Sequence, residues 1–376
     1  MVHPERGPAH VLPPIREEQQ HPRATSSTAS TPIVMRVASL MSFSSMCRAA
    51  TLAWFPRLRK TRIPRHTGSM STAADALARL VEGIDRERLG AYGVVVRVGD
   101  DEVAHRWRSD DRENLYSVSK GVCALAVGIA VDEGILRLDT RVPELLPGLD
   151  LGPGVDEVTV EHLLTMTSGI DFAWFGDEPV PGSDLAQAML GLPTRGPGRV
   201  FQYSDASSYV AMRMLAAAVG DVRDWLLPRL FEPLGIDNPQ WHRCPLGFIV
   251  GGSGLELRTG ELARIGRLLR DRGAGEGRQL VNAEWVDRMH GSWVDTGADP
   301  AAPFARYGLA TWDGPGDAWR LDGRYGQYVL VDGSRDAVVT ITAHEEERDH
   351  LLAELAAEAV TDPAQVVGRG VVTHLT

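Results

Sequence analysis

Lysine is nearly missing from this chain. Of its 39 basic residues only Lys60 and Lys120 are lysine; the other 37 are arginine. Cysteine is scarce as well. Cys47, Cys123 and Cys244 form no CxxC pair and no even-numbered disulfide framework, which fits a reducing, cytoplasmic setting. No run of 18 or more apolar residues occurs, so no membrane span is expected. The net charge of −11 disfavours nucleic acid as a partner. HExxH and Walker A are both lacking, and there is no internal repeat.

What is present divides unevenly. Residues 1–69 carry ten Lys/Arg against three Asp/Glu, a balance of +7, whereas the remainder stands at −18. The first segment is rich in Ser, Thr and Pro, has no apolar period and is expected to be disordered over 1–70, with Met70 a plausible alternative start. A domain is expected over 71–365, followed by a short tail at 366–376. Within it, Ala76, Leu80 and Ile84 mark one face of a helix, and AYGVVVRVGDDEVAHRWRS reads as a hairpin turning at Gly-Asp-Asp. The segment from Ser119 to Glu133 is apolar nearly all round, the pattern of a buried helix. From about 136 to 299 the chain is helical and punctuated by Pro and Gly. ARYGLATWDG, DAWRLDG, RYGQYVLVDG and DAVVTITAH then read as strands, and HLLAELAAEAV as a closing helix. The order implies an α+β fold: an antiparallel sheet built from both ends of the domain (about 71–135 and 300–365), flanked by N- and C-terminal helices, with a large helical lobe inserted.

The one lysine beyond residue 60 lies in YSVSKGV, three residues after Ser117. Residues i and i+3 share a helix face. At the first turn of a buried helix, desolvation disfavours a charged lysine, and a neutral one can take the proton of Ser117. The helix N-terminus supplies N–H groups where an oxyanion would form. Arginine cannot do this, because guanidinium keeps its proton. The bland alternative makes Ser117 a helix cap and Lys120 a side chain snorkelling to solvent. Ser119, adjacent to Lys120, points elsewhere on a helix. GGSGL at 251–255 ends in leucine and fails as a nucleophile elbow. HEEERDH at 344–350 reads as a solvated turn before a helix, and GAGEG as a lone glycine loop.

With Ser117-x-x-Lys120 followed by TVEHLLTMTSGI, LFEPLGI and GGSGLELRTGELARIGRLL, the chain resembles the serine β-lactamase and penicillin-binding-protein-like superfamily over roughly residues 75–360. Within it, the text is most similar to class C-related esterases, D-aminopeptidases and aminohexanoate-oligomer hydrolases. The resemblance implies that Tyr203, in Tyr203-Ser204-Asp205, sits near Ser117 and Lys120 and shares in proton transfer. The family has asparagine where this chain has Asp205. The family's strand cation, in Lys-Thr-Gly or His-x-Gly, aligns with Leu321-Asp322-Gly323. Only Gly323 survives, Asp322 adds negative charge, and Arg320 or Arg324 would have to replace the cation. The two oxyanion N–H groups would belong to Ser117 and Arg324. Trp174, Phe175 and Trp241 are candidate pocket walls.

The function expected is a serine hydrolase forming an acyl-enzyme on a small-molecule ester or amide, with no cofactor and no metal. A β-lactamase, a D-amino-acid peptidase and a catalytically silent ligand-binding member are the alternatives.

Overall fold

The computed structural model describes residues 72–176 and 182–361; the expectations for 1–70 and 366–376 lie outside the described residues. Thirteen strands are present among them. β1 (Ala91–Val98) and β2 (Asp101–Arg106) form the expected hairpin. β3 (Glu113–Asn114), β4 (Gln240–Trp241) and β5 (Leu255–Leu257) make a small sheet in the order β3-β5-β4. β6 (Ala274–Gly275) and β7 (Arg278–Gln279) close a two-stranded hairpin, so the GAGEG loop is a hairpin tip. β8 (Val294–Asp295), β9 (Arg306–Tyr307), β10 (Trp312–Asp313), β11 (Trp319–Gly323), β12 (Gln327–Asp332) and β13 (Ala337–Ala343) follow.

The main sheet is antiparallel throughout and runs β2-β1-β13-β12-β11-β10-β9-β8. It joins the beginning of the domain to its end, since β1 pairs with β13. One face is covered by the helices Ala73–Glu87 and Asp349–Val360, whose Leu80, Ile84, Leu352 and Ala356 pack with Val94, Val96, Val339 and Ile341. The other face meets Thr259–Arg270 and the helical lobe, where Leu262, Ile265, Val329 and Val338 share a core with the buried helix Val118–Asp132. Alternate residues of a strand point to opposite faces, so these all-buried strands lose the in/out alternation that an exposed sheet would show.

The expected single strand in ARYGLATWDG is two. β9 and β10 fold back on each other about a tight turn in which Gly308 N–H bonds to Thr311 O (2.9 Å) and Ala310 takes φ 58°. The other expected elements appear close to their predicted bounds: Ala73–Glu87, Val160–Leu164, Asp205–Val219 and Thr259–Arg270 are helices.

The Val118–Asp132 helix is buried from Val118 to Ala130. Two glycines let neighbours reach its backbone. A Cβ on Gly121 would stand 2.4 Å from Leu321 Cδ2 of β11, and one on Gly128 would stand 2.5 Å from Trp285 Cδ1. The indole of Trp285 donates to Ala124 O (3.0 Å) across the same contact. The first of these approaches seats the helix start directly against β11.

Candidate active site

Ser117 occupies the N-cap position of that helix but makes no capping bond with its side chain. Lys120, at 1% exposure, does not snorkel. The bland reading of the pair therefore fails on both residues. Lys120 Nζ lies 2.6 Å from Ser117 Oγ, 2.5 Å from Asp205 Oδ1 and 2.8 Å from Gly252 O. Three acceptors match the three protons of an ammonium. The Asp205 carboxylate among them makes a buried ion pair with the amine. Ser119 turns away, as expected, and accepts from Leu255 N–H (3.2 Å), fastening the helix to β5.

Asp205 is positioned by its own neighbours. Ser204 caps the Asp205–Val219 helix by accepting from Ala206 N–H and also accepts from Trp174 N–H (3.2 Å). Asp205 N–H donates to Trp174 O (2.9 Å), and its second carboxylate oxygen takes Gly176 N–H (2.9 Å). Gly252 presses on it from the far side, where a Cβ would stand 2.5 Å from Asp205 Cβ. The GGSG segment, set aside as a failed elbow, thus supplies a lysine acceptor through a backbone carbonyl.

Tyr203 is brought to the same place. Its hydroxyl bonds to Ser117, and its ring centroid is 4.8 Å from Lys120 Nζ. Burial first, then the Asp205 carboxylate, push its hydroxyl well above the usual tyrosine range, with Asp322 adding to the effect. It stands among aromatic rings: Phe175 (6.5 Å), Tyr307 (5.8 Å) and Trp312 (5.6 Å). Phe175 is therefore beside the site. Trp174 and Trp241 are core residues, the latter donating its indole N–H to Ser253 O (3.1 Å). Tyr307, buried and likewise shifted upward chiefly by burial, was not singled out by the sequence; it sits in a two-residue strand with no motif around it.

The end of β11 closes the site. A Cβ on Gly323 would stand 2.4 Å from Leu115 O and 3.2 Å from Val118 N, so only glycine lets this strand abut the segment carrying Ser117. Tyr116 (φ 46°) and Tyr325 (φ 67°) hold left-handed backbone immediately beside Ser117 and Arg324, with rings edge to face at 5.2 Å. Such conformations are costly for bulky residues, roughly 1–3 kcal/mol each, and cluster where structure over-determines a functional geometry. Asn114 Oδ1 steadies the first by accepting from Tyr116 N–H (2.9 Å) and Gly254 N–H (3.0 Å).

Leu321 stands where the resemblance leads one to expect a cation, and Arg320 does not replace it. The Arg320 guanidinium donates to Asp322 Oδ2 (2.8 Å), Asp313 O (2.8 Å), Gly314 O (2.8 Å) and Pro303 O (3.0 Å). Burial pushes the Asp322 carboxyl up to about 6, against the pull of Arg320. Arg324 is exposed, its guanidinium 4.7 Å above the Tyr325 ring. Among the described residues no cluster of three or more His, Cys, Asp or Glu could hold a metal ion, and no helix is long and apolar enough to cross a membrane.

The profile of the family described as Beta-lactamase matches residues 74–361. The chain belongs to the beta-lactamase family. It is a serine hydrolase of that family, of the acyl-enzyme type. The 6-aminohexanoate-dimer hydrolase of Paenarthrobacter ureafaciens is 25% identical over 303 residues, covering 70% of this chain and 76% of the relative. Esterase EstB of Burkholderia gladioli is 38% identical over 119 residues, 27% of this chain and 30% of the esterase. The structure of D-amino acid amidase from Ochrobactrum anthropi SV3, complexed with L-phenylalanine amide, superposes with a TM-score of 0.61 at 14% identity, covering 76% of this chain and 98% of the amidase. Like that beta-lactamase-fold structure, the chain combines an antiparallel sheet with a helical lobe.

Proposed function

We propose that this hydrolase cleaves small esters or amides that carry no essential carboxylate, with Ser117 as nucleophile, Lys120 moving its proton and Tyr203 orienting the serine hydroxyl. The observation that carries the reading is the 2.6 Å contact between Ser117 Oγ and the buried Lys120 Nζ at the first turn of a helix. Ser117 Oγ attacks the substrate carbonyl carbon. The N–H groups of Ser117 and Arg324, on the facing ends of helix and β11, stabilise the oxyanion. Backbone donors do not depend on side-chain identity, so the hole survives the loss of the strand cation. Lysine or histidine at position 321 would meet a substrate carboxylate, whereas Leu321 and a fully engaged Arg320 do not, which leaves the exposed Arg324, stacked over Tyr325, as the remaining cation; this supports neutral substrates over penicillins and peptide C-termini. The relatives named as an esterase and as a dimer hydrolase support ester and amide bonds equally.

The test is turnover of p-nitrophenyl butyrate together with labelling by a fluorophosphonate probe. Ser117→Ala is expected to lose both, with turnover falling by roughly 10³-fold or more. Activity equal to wild type would sink the assignment. Rapid hydrolysis of nitrocefin would favour the β-lactamase alternative instead.

A further inference from the structure

We propose that Asp205 is the terminal proton acceptor of acylation, reached from Ser117 through Lys120, so that the lysine enters and leaves the step as an ammonium. The proposal rests on Ser117 being the nucleophile. It starts from the contacts of one nitrogen. Lys120 Nζ has three acceptors, Ser117 Oγ at 2.6 Å, Asp205 Oδ1 at 2.5 Å and Gly252 O at 2.8 Å, and an ammonium has three protons to give them. In that arrangement no lone pair is left to face Ser117. Lys120 can accept the serine proton only while releasing one of its own. Gly252 O is an amide carbonyl and holds no proton, which leaves Asp205.

The other groups around the nitrogen do not compete. Burial holds Tyr203, Tyr307 and the Cys123 thiol in their neutral forms, and the two aspartates disfavour a phenolate at Tyr203 further. Asp322 is engaged by Arg320. The Asp205 carboxylate is also prepared for the role. Gly176 N–H fixes Oδ2 (2.9 Å) and leaves Oδ1 on the lysine, while Gly252 lies so close to the side chain that no Cβ fits between them.

The Ser117 Oγ–H bond breaks as Oγ bonds to the substrate carbonyl carbon, whose π pair moves onto its oxygen. The Nζ proton facing Asp205 bonds to Asp205 Oδ1 while the amine turns about its Cε–Nζ bond, bringing the electron pair so freed onto the serine proton, which bonds to Nζ. When the tetrahedral adduct collapses, the path reverses: Asp205 returns its proton to Lys120, and a lysine proton goes to the leaving oxygen or nitrogen. Tyr203, neutral and hydrogen-bonded to Ser117, orients the hydroxyl in both directions.

The experiment is stopped-flow acylation by p-nitrophenyl butyrate in mixtures of H2O and D2O, with wild type and Asp205→Asn. Two protons in flight predict a bowed dependence of the wild-type rate on deuterium fraction. Asp205→Asn is expected to acylate about 10²- to 10⁴-fold more slowly, with a straight dependence. A variant within threefold of wild type, or one that is slowed but still bowed, overturns the relay; the second result is what a purely structural Asp205 would give. Should the variant not fold, a straight line for wild type overturns it equally. Failure of every acylating probe to label wild-type Ser117 would instead sink the nucleophile assignment, a different outcome from labelled Ser117 with an unaffected Asp205→Asn.

Discussion

At the scale of single residues, the candidate site is a set of buried charges in which two carboxylates each face a cation. Asp205 adds a carboxylate beside Lys120, and Asp322 adds one beside Arg320. The second has a consequence for stability. The Asp322 carboxyl is pushed above its usual 3.8 to about 6, chiefly by burial and despite its ion pair. A group shifted upward favours the fold while protonated. Its contribution is fully present below about pH 4 and is lost as pH rises through 6, on the order of 2–3 kcal/mol in all. Asp322→Asn stays neutral throughout. Its melting temperature is therefore expected to lack the decline that wild type shows between pH 4 and 7, and to equal or exceed wild type at pH 8. A variant markedly less stable than wild type at pH 8 would show that the Arg320 pair outweighs the burial cost. Much of this residue-level picture was legible in the sequence. Ser117 and Lys120 stood out because lysine is so rare, and Tyr203 and Asp205 through the resemblance. Gly252 O, Gly176 N–H and the second tyrosine did not. Two of these are backbone atoms, which carry no side-chain signature, and the three reach Lys120, Asp205 and Tyr203 respectively from loops or short strands distant in sequence.

At the scale of elements, the decisive contact is between the nucleophile helix and β11. Gly121 exists to let Leu321 in, since a Cβ would stand 2.4 Å from its Cδ2 and 2.7 Å from its Cδ1. Gly121→Ala is expected to destabilise the protein by about 1–3 kcal/mol. It should also lower kcat more than it raises KM, because it pushes the Gly323–Arg324 end of β11 away from Ser117. The double variant Gly121→Ala/Leu321→Ala should recover part of both losses, which thermal melts and steady-state kinetics would show; no recovery would mean the helix, not the strand, is the distorted partner. The long elements were readable for plain reasons: a helix such as Ala73–Glu87 contains enough residues to show a period, and strands such as β1 and β13 are β-branched runs bounded by turn residues. β8, β9 and β10 have two residues each, too few for any period, and the fold-back between β9 and β10 depends on a left-handed Ala310 that no local rule announces.

At the scale of the whole molecule, the sheet is contributed by both ends of the domain, and its outer face is covered by the first and last described helices together. Leu352, Ala353 and Ala356 of the last helix are buried against that face. A chain ending before Asp349 is expected to uncover this core, lose its cooperative melt and lose activity, although the removed helix contributes no side chain to Ser117 or Lys120; retained activity with a lowered melting temperature would show that the two lobes hold their register without it. The pairing of β1 with β13 has a further implication, for the order in which the protein can be made. Gly93 and Val94 must wait for Thr342 and Ile341. Contacts between residues roughly 250 positions apart are slow to form, because loop closure comes before any stabilisation. During synthesis the serine and lysine emerge early, but β11, whose Gly323 abuts the segment carrying Ser117, is locked in only when β12 and β13 have been added. The candidate centre is therefore complete only after almost the whole domain has left the ribosome.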